Sequence, residues 1–297
     1  MSLPTALREE LQRHAGAVPA ERPVGGGCIS RAARLEVGGR PAFLKYHLDA
    51  PAGFFAAEAD GLERLRAAQS GLRVPGVLGT GELQTPQGRL GWLLLEWLQP
   101  GRPGADSGER LGEGLARLHR VRGPGWGAGA DGFIGALPQE NTPAADWPAF
   151  WRERRLRPQL ERARRAGRLP ATEREWQSLC ERLPALLAPA EVDGASLLHG
   201  DLWGGNVLLG EGGEPALIDA AASYHGHREV DLAMSELFGG FPPAFGAAYR
   251  AAWPLAPGYP QRRAVYQLFY LLAHVNLFGG GYVAQTAGLL RQVLAAR

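Results

Sequence analysis

The run Leu197-Leu198-His199-Gly200-Asp201-Leu202-Trp203-Gly204-Gly205-Asn206-Val207-Leu208-Leu209, followed by Ala216-Leu217-Ile218-Asp219, constrains this chain more than any other stretch. The apolar runs 207–209 and 216–218 flank a Gly-rich turn at 210–213 and read as a β-hairpin that carries Asp219 back beside Asn206. Asp201 precedes Asn206 by five residues. A phosphoryl-transfer centre needs that arrangement: an Asp to accept a hydroxyl proton, an Asn on the same turn to hold a metal ion, and a second Asp at the end of a hairpin for the metal. Each residue alone is an ordinary loop residue. The ordered set between two strand-like runs is what favours catalysis.

Upstream, the segments 24–37 and 41–46 read as strand, Gly-rich turn, strand, tight Gly38-Gly39 turn and strand. Glycines let backbone N–H groups approach a polyphosphate closely, so Gly25, Gly26, Gly27 and Cys28 form the candidate phosphate loop. Lys45 closes the third strand, where a phosphate-pairing lysine belongs. Glu58, in the amphipathic helical stretch 54–65, is its expected partner; it is preferred to Asp60 and Glu63 because it leaves Leu62 and Leu65 on a packing face. An exposed pair of this kind contributes at most about 1 kcal/mol. Chain order, not charge, therefore carries the assignment.

The remaining segments divide the chain into an N-terminal nucleotide-binding lobe, 1–98, and a C-terminal catalytic and substrate-binding lobe, 99–297. A short amphipathic helix at 3–15 is expected to pack on the first lobe, with strands at 74–78 and 90–98. The second strand ends at Gln99-Pro100-Gly101, read as a hinge against which an adenine lies, and Glu96 and Leu98 are placed there by analogy. A helix at 107–121 carries His119, read as a satisfied core residue. The Gly/Pro-rich segment 123–141 reads as a substrate-side loop. The basic helix at 147–167, interrupted at Pro158, reads as a solvated face in preference to an anion-recruiting patch. A helix at 173–188 leads into the Asp201 loop. Glu229 and Asp231 open another helix, either favoured there by its dipole or, for Asp231, accepting hydrogen bonds from the Asp201-loop backbone. The strongly apolar helix 266–282 is interrupted by His274 and Asn276 near its C-terminal end.

Composition narrows the alternatives. Charged residues are 21% and hydrophobic residues 45% of 297, ordinary for a globular protein, and a net charge of +2 gives no nucleic-acid surface. No apolar run reaches bilayer length, and Arg8, Glu9 and Glu10 stand where a signal peptide needs apolar residues, so a cytoplasmic protein with no membrane partner is expected. Cys28 and Cys180 lack metal-ligand spacing.

The motifs HGDLWGGN at 199–206, GHREVDLAMSELFGGF at 226–241 and HVNLFGGGY at 274–282, with GGGCIS at 25–30 and FIGALPQEN at 133–141, resemble the fructosamine kinase family, part of the larger group with aminoglycoside and choline kinases. The resemblance runs over nearly the whole chain. It implies an α+β, two-lobed protein-kinase-like fold with an antiparallel-sheet N-lobe and a mainly helical C-lobe. It also implies ATP- and Mg²⁺-dependent phosphorylation of the 3-hydroxyl of a ketosamine, a ribulosamine or fructosamine, free or protein-borne, as a deglycation repair. Asp201 would be the base, Asn206 and Asp219 the Mg²⁺ ligands, Lys45 the phosphate lysine, and Trp203, His274 and Asn276 would line the substrate site. Two departures stand out: Ala220 follows Asp219 where the family has Pro, and the stretch to Gly226 is one residue longer, which bears on the pocket near Tyr224 and His225. Cys28 occupies the position of a redox-sensitive cysteine in some relatives, so the expected state is a monomer or a redox-linked homodimer. Competing readings are a kinase for another hydroxylated amine such as an aminoglycoside, a non-catalytic ATP-binding module, and a redox-sensing scaffold.

Overall fold

Side-chain alternation in the N-terminal part of the chain builds an antiparallel sheet. The computed structural model describes residues 3–16, 22–24, 30–127 and 130–296. The expected phosphate-loop residues Gly25, Gly26, Gly27 and Cys28 lie outside that set. Strands β1 (Arg22–Val24), β2 (Arg31–Val37), β3 (Arg40–Leu48), β4 (Val77–Thr85) and β5 (Gly88–Glu96) are ordered β1-β2-β3-β5-β4. On β3, Ala42, Leu44 and Tyr46 are buried on one face, which helix α1 (Thr5–Ala15) and the residue before it cover with Leu3, Leu7 and Leu11. The two-residue period of a strand turns Lys45 to the opposite face. Helix α2 (Phe54–Ala67) buries Phe54, Phe55, Glu58, Ala59, Leu62 and Leu65 along one stripe, so Glu58 points inward because it shares the helical face of Leu62 and Leu65.

The rest of the described chain is mainly helical. Helix α3 (Ser107–His119) precedes the small hairpin β6 (Gly132–Ile134) and β7 (Leu137–Gln139). Next come α4 (Trp147–Phe150), a π-helical turn (Trp151–Leu156), α5 (Arg157–Arg165) and α6 (Glu173–Leu187). Then β8 (Ser196–Leu198) and the hairpin β9 (Val207–Leu209) and β10 (Pro215–Leu217) lead to β11 (Tyr224–Gly226), which pairs with β8. Helices α7 (Glu229–Leu237), α8 (Pro243–Ala252), α9 (Tyr259–Phe278) and α10 (Gly281–Ala295) complete the chain. One apolar cluster joins Leu93 and Leu95 of the sheet, the α2 stripe, α3, α8 and the segment around Leu197, Leu202, Leu217 and Ala220. The two parts of the molecule therefore meet through a shared core, and the site lies at its edge. No helix among the described residues is long and apolar enough to cross a membrane.

Three local expectations are corrected. Val74-Pro75-Gly76 is not strand: Gly76 exchanges backbone and side-chain hydrogen bonds with Glu96, and β4 begins one residue later. The expected loop at 123–141 contains the β6–β7 hairpin, where the Phe133 amide donates to Ala221 O (3.0 Å) and Phe133 packs edge-on against Phe54 of α2. The basic helix is not simply a solvated face. Pro158 sits in the first turn of α5, where its missing N–H costs nothing. Arg155, in the π-helical turn, is fully buried. Its guanidinium lies 4.0 Å from the Tyr224 ring centroid and donates to Glu140 O and Asn141 Oδ1, both at 2.6 Å. Tyr224 is likewise core, stacked on Phe150.

Residues Ala220-Ala221-Ala222 run between α2 and the Asp201 loop with no room to spare. A Cβ on Gly61 would fall inside the van der Waals radius of Ala220 O, and one on Gly200 inside that of Ala222 O. Gly61→Ala is expected to lower the stability of the fold by about 1–3 kcal/mol through overpacking. Gly288→Ala, on an open face of α10 where a Cβ meets nothing within 4 Å, should raise it by about 0.5–1 kcal/mol. Urea denaturation midpoints of the two variants check this pair.

Candidate active site

Lys45 is reached first from the sheet side. Its ammonium donates to both Glu58 carboxylate oxygens, at 2.8 and 2.9 Å, and forms an ion pair with Asp219 Oδ1. The Glu58 side chain is almost wholly buried, whereas that of Asp219 is 40% exposed, so one end of this bridge is fixed and the other opens to the cleft. Asp219 has a φ of +60°, a left-handed conformation uncommon for a residue with a Cβ. The strain is held in place by the buried segment that follows it and points to function.

The β9–β10 hairpin does what its sequence demands. The Ile218 amide donates to Asn206 O at 3.1 Å, which brings Asp219 beside Asn206. Asn206 Nδ2 donates to Asp201 O (2.9 Å) and Asp201 Oδ2 (3.2 Å). Its amide oxygen is then uncommitted among the described residues. Asp219 and Asn206 thus offer one carboxylate and one amide oxygen, hard donors of the kind Mg²⁺ takes together with phosphate oxygens and water. No cluster of three His, Cys, Asp or Glu suited to a metal exists among the described residues.

The Asp201 loop is fixed from below. Asp231 accepts from the His199 amide and the Gly200 amide, both at 2.8 Å, and from His119 Nε2 at 3.1 Å. His119 Nδ1 in turn accepts from the Tyr249 hydroxyl at 2.9 Å. Of the two readings of Asp231, the backbone-acceptor reading describes what its carboxylate does. Burial alone would raise its pKa, but the hydrogen bonds from His119 and the Gly200 amide outweigh that and hold it below the usual carboxylate range. His119 is fully buried, and burial lowers its pKa, as a satisfied core residue requires. His199 Nε2 donates to Ile218 O (2.8 Å) and Nδ1 accepts from the Asp201 amide (3.3 Å), so the ring ties the loop to the hairpin. Asp201 itself has its pKa raised by burial, against the opposing pull of His199, His274 and Asn206.

Trp203 stands 40% exposed beside this loop. His274 Nδ1 donates to Tyr270 O (2.8 Å), and the Tyr270 hydroxyl donates to Gly200 O (2.7 Å), which links the C-terminal helices to the loop. Tyr270 was not apparent from the sequence, although its position one helical turn before His274 marks the same face. Asn276 is a correction. Its amide donates to Gln159 O and Oε1 on α5 (3.0 and 2.8 Å), and two residues along a helix turn it away from the face of His274. Glu96 is bound by Arg73 (2.8 Å) and the Gly76 amide (3.1 Å), and Leu98 is buried at the start of the hinge. There the Gly101 amide donates to Leu209 O at 2.7 Å.

The family model for fructosamine kinase matches residues 3–296. The chain belongs to the fructosamine kinase family. It is 42% identical over 279 residues to a probable ketoamine kinase of Synechocystis, covering 92% of this chain and 90% of that protein. It is 34% identical over 273 residues to a chloroplastic protein-ribulosamine 3-kinase of Arabidopsis thaliana, covering 91% and 81%. A crystal structure from Thermobifida fusca, assigned as a candidate fructosamine-3-kinase, superposes with a TM-score of 0.82 at 35% identity and covers 98% of this chain and 99% of that one. Aminoglycoside phosphotransferase APH(4)-Ia shares the fold at a TM-score of 0.63 and 18% identity, covering 99% of both chains. The α+β, protein-kinase-like architecture expected from the sequence is therefore the observed one.

Asp231→Asn places an amide against backbone N–H donors and is expected to cost about 3–5 kcal/mol of stability at neutral pH. Because the folded pKa of Asp231 is depressed, its contribution is complete above the unfolded value of about 4 and is lost as pH falls through the folded value. Denaturation midpoints measured from pH 7 downward should fall less steeply for the variant than for the wild type.

Proposed function

We propose that this protein transfers the γ-phosphoryl group of ATP to the 3-hydroxyl of a ketosamine, a ribulosamine or fructosamine. The observation that carries this reading is the convergence of Lys45, Asp219, Asn206 and Asp201 around one cleft, in a chain of this family. The cleft divides the nucleotide-binding part, 1–98, from the catalytic part, 99–297. The backbone after Glu96, with Leu98 behind it, supports the adenine.

The geometry supports the following residue roles. Asp201 accepts the proton of the attacking sugar hydroxyl and orients its oxygen for in-line displacement. Burial raises its pKa, which makes its carboxylate a stronger proton acceptor than an exposed one. Glu58 fixes the Lys45 ammonium, which neutralises charge on the phosphates. Asp219 and Asn206 would hold Mg²⁺, which would supply charge to offset that developing on the transferring group. Trp203 and His274 line the sugar side. Loss of the phosphorylated sugar from the amine after transfer would make the activity a repair of glycated amines.

The direct test is Mg²⁺-dependent ATP consumption with a ribulosamine, a fructosamine and an aminoglycoside. Turnover is expected on the ketosamines and absent on the aminoglycoside; the reverse pattern would overturn the assignment. Asp201→Asn should lower kcat at least about a hundredfold, the low end of what a positioned base supplies. Its ATP affinity, read by calorimetry, should stay within about threefold because the residue faces the acceptor. Lys45→Met should weaken both ATP binding and kcat in the same assays.

A further inference from the structure

Among the described residues five large apolar side chains are exposed, and Trp203, Phe238 and Phe278 are three of them. Phe238 and Phe278 flank His274, with ring centroids 4.8 and 5.6 Å away, and Tyr282 lies 4.9 Å from the same imidazole. Phe278 and Tyr282 are themselves 6.2 Å apart. This aromatic patch joins the end of α7 to the end of α9 and the start of α10. It is continuous with the Asp201 loop: a Cβ on Gly204 would lie 3.8 Å from Gly240 Cα, just past Phe238. The His274–Tyr270–Gly200 hydrogen bonds reach the residue before Asp201. Contiguous exposed aromatic surface beside a catalytic loop marks a ligand surface better than a random surface does.

Resting on the ketosamine reading above, we propose that Phe238, Phe278 and Tyr282, grouped around His274, form the subsite for the amine-borne half of the substrate and take an N-alkyl chain of the kind a lysine side chain supplies. In a ketosamine the nitrogen is on C1 and the reacting hydroxyl on C3. With that hydroxyl at Asp201, the nitrogen and its substituent leave the sugar within reach of the neighbouring surface. The Nδ1 hydrogen bond to Tyr270 O fixes the His274 ring among these aromatic side chains, whose faces favour a cation with attached methylenes. Phe278 is 54% exposed, so a chain lying on it runs out to solvent, and a glycated lysine can enter without its own backbone being buried. Arg168 stands at the rim beside Gly279, and for that reason the discriminating amines carry no carboxylate.

The experiment compares ketosamines of methylamine and n-butylamine built on the same sugar. Both KM and calorimetric Kd are measured for the wild type, Phe278→Ala and Phe238→Ala. The wild type is expected to favour the butylamine adduct about tenfold in KM and Kd, as partial burial of three more methylenes implies. Phe278→Ala should shrink that ratio to about threefold or less, with kcat for the butylamine adduct within twofold of wild type. An unchanged ratio in both variants, with turnover intact, overturns the subsite and leaves the reaction standing. Loss of the binding preference in the variants, with no phosphorylation of either adduct by the wild type, overturns the reaction and leaves the subsite standing.

Discussion

A carboxylate taken wholly out of water needs donors, and Asp231 draws three of them from the catalytic loop and from α3. Two are consecutive backbone amides, so the carboxylate fixes the peptide planes that aim Asp201. The third, the His119 imidazole, is itself satisfied by Tyr249 of α8. Nothing in this chain of bonds touches substrate. Its effect is that the loop carrying the proposed base cannot rotate without exposing a buried charge, and such an exposure is unfavourable by several kcal/mol. Arg262 on α9 pairs bidentately with Glu229, at 2.7 Å for both bonds, and so anchors the helix that presents Asp231.

Steric constraint completes what the hydrogen bonds begin. The three alanines after Asp219 are bounded by Gly61 on α2, Gly200 on the catalytic loop and the β6–β7 hairpin, where Gln139 donates to Ala222 O at 3.1 Å. Larger side chains at 220–222 would push α2 outward and move Glu58 away from Lys45. The sheet side and the helical side of the site are therefore kept at one spacing by the narrowness of a single buried segment. Ala220 fits this setting: the residue is buried and its side chain small.

What could be read from the sequence was what is local or periodic. The β9–β10 hairpin, with its Gly-rich turn, was legible, and so was the inward face of α2 that carries Glu58. Asp231, whose reading left an alternative open, resolves as a backbone acceptor, and His119 is the buried core residue expected. The misreadings share a cause: the deciding partner is distant in sequence. Val74-Pro75-Gly76 looks like strand until Glu96 is seen to bind its backbone. Asn276 looks like a companion of His274 until Gln159, more than a hundred residues earlier, claims its amide. The β6–β7 hairpin is stabilised by Ala221 and Ala222 rather than by its own composition. Arg155 reads as solvated because only the fold brings Tyr224 and Asn141 Oδ1 to its guanidinium.

The π-helical turn at Trp151–Leu156 fixes where a charge sits. Such a turn amounts to one residue more than an α-helix would use over the same axial length. Upstream of it, Trp147 stacks on Phe150; downstream, α5 packs against α9. The surplus is absorbed between the two. A regular helix would rotate Arg155 by about 100° relative to α5 and carry its guanidinium away from Glu140 O and Asn141 Oδ1, so the wide turn is what lets a cation sit fully buried beside aromatic rings.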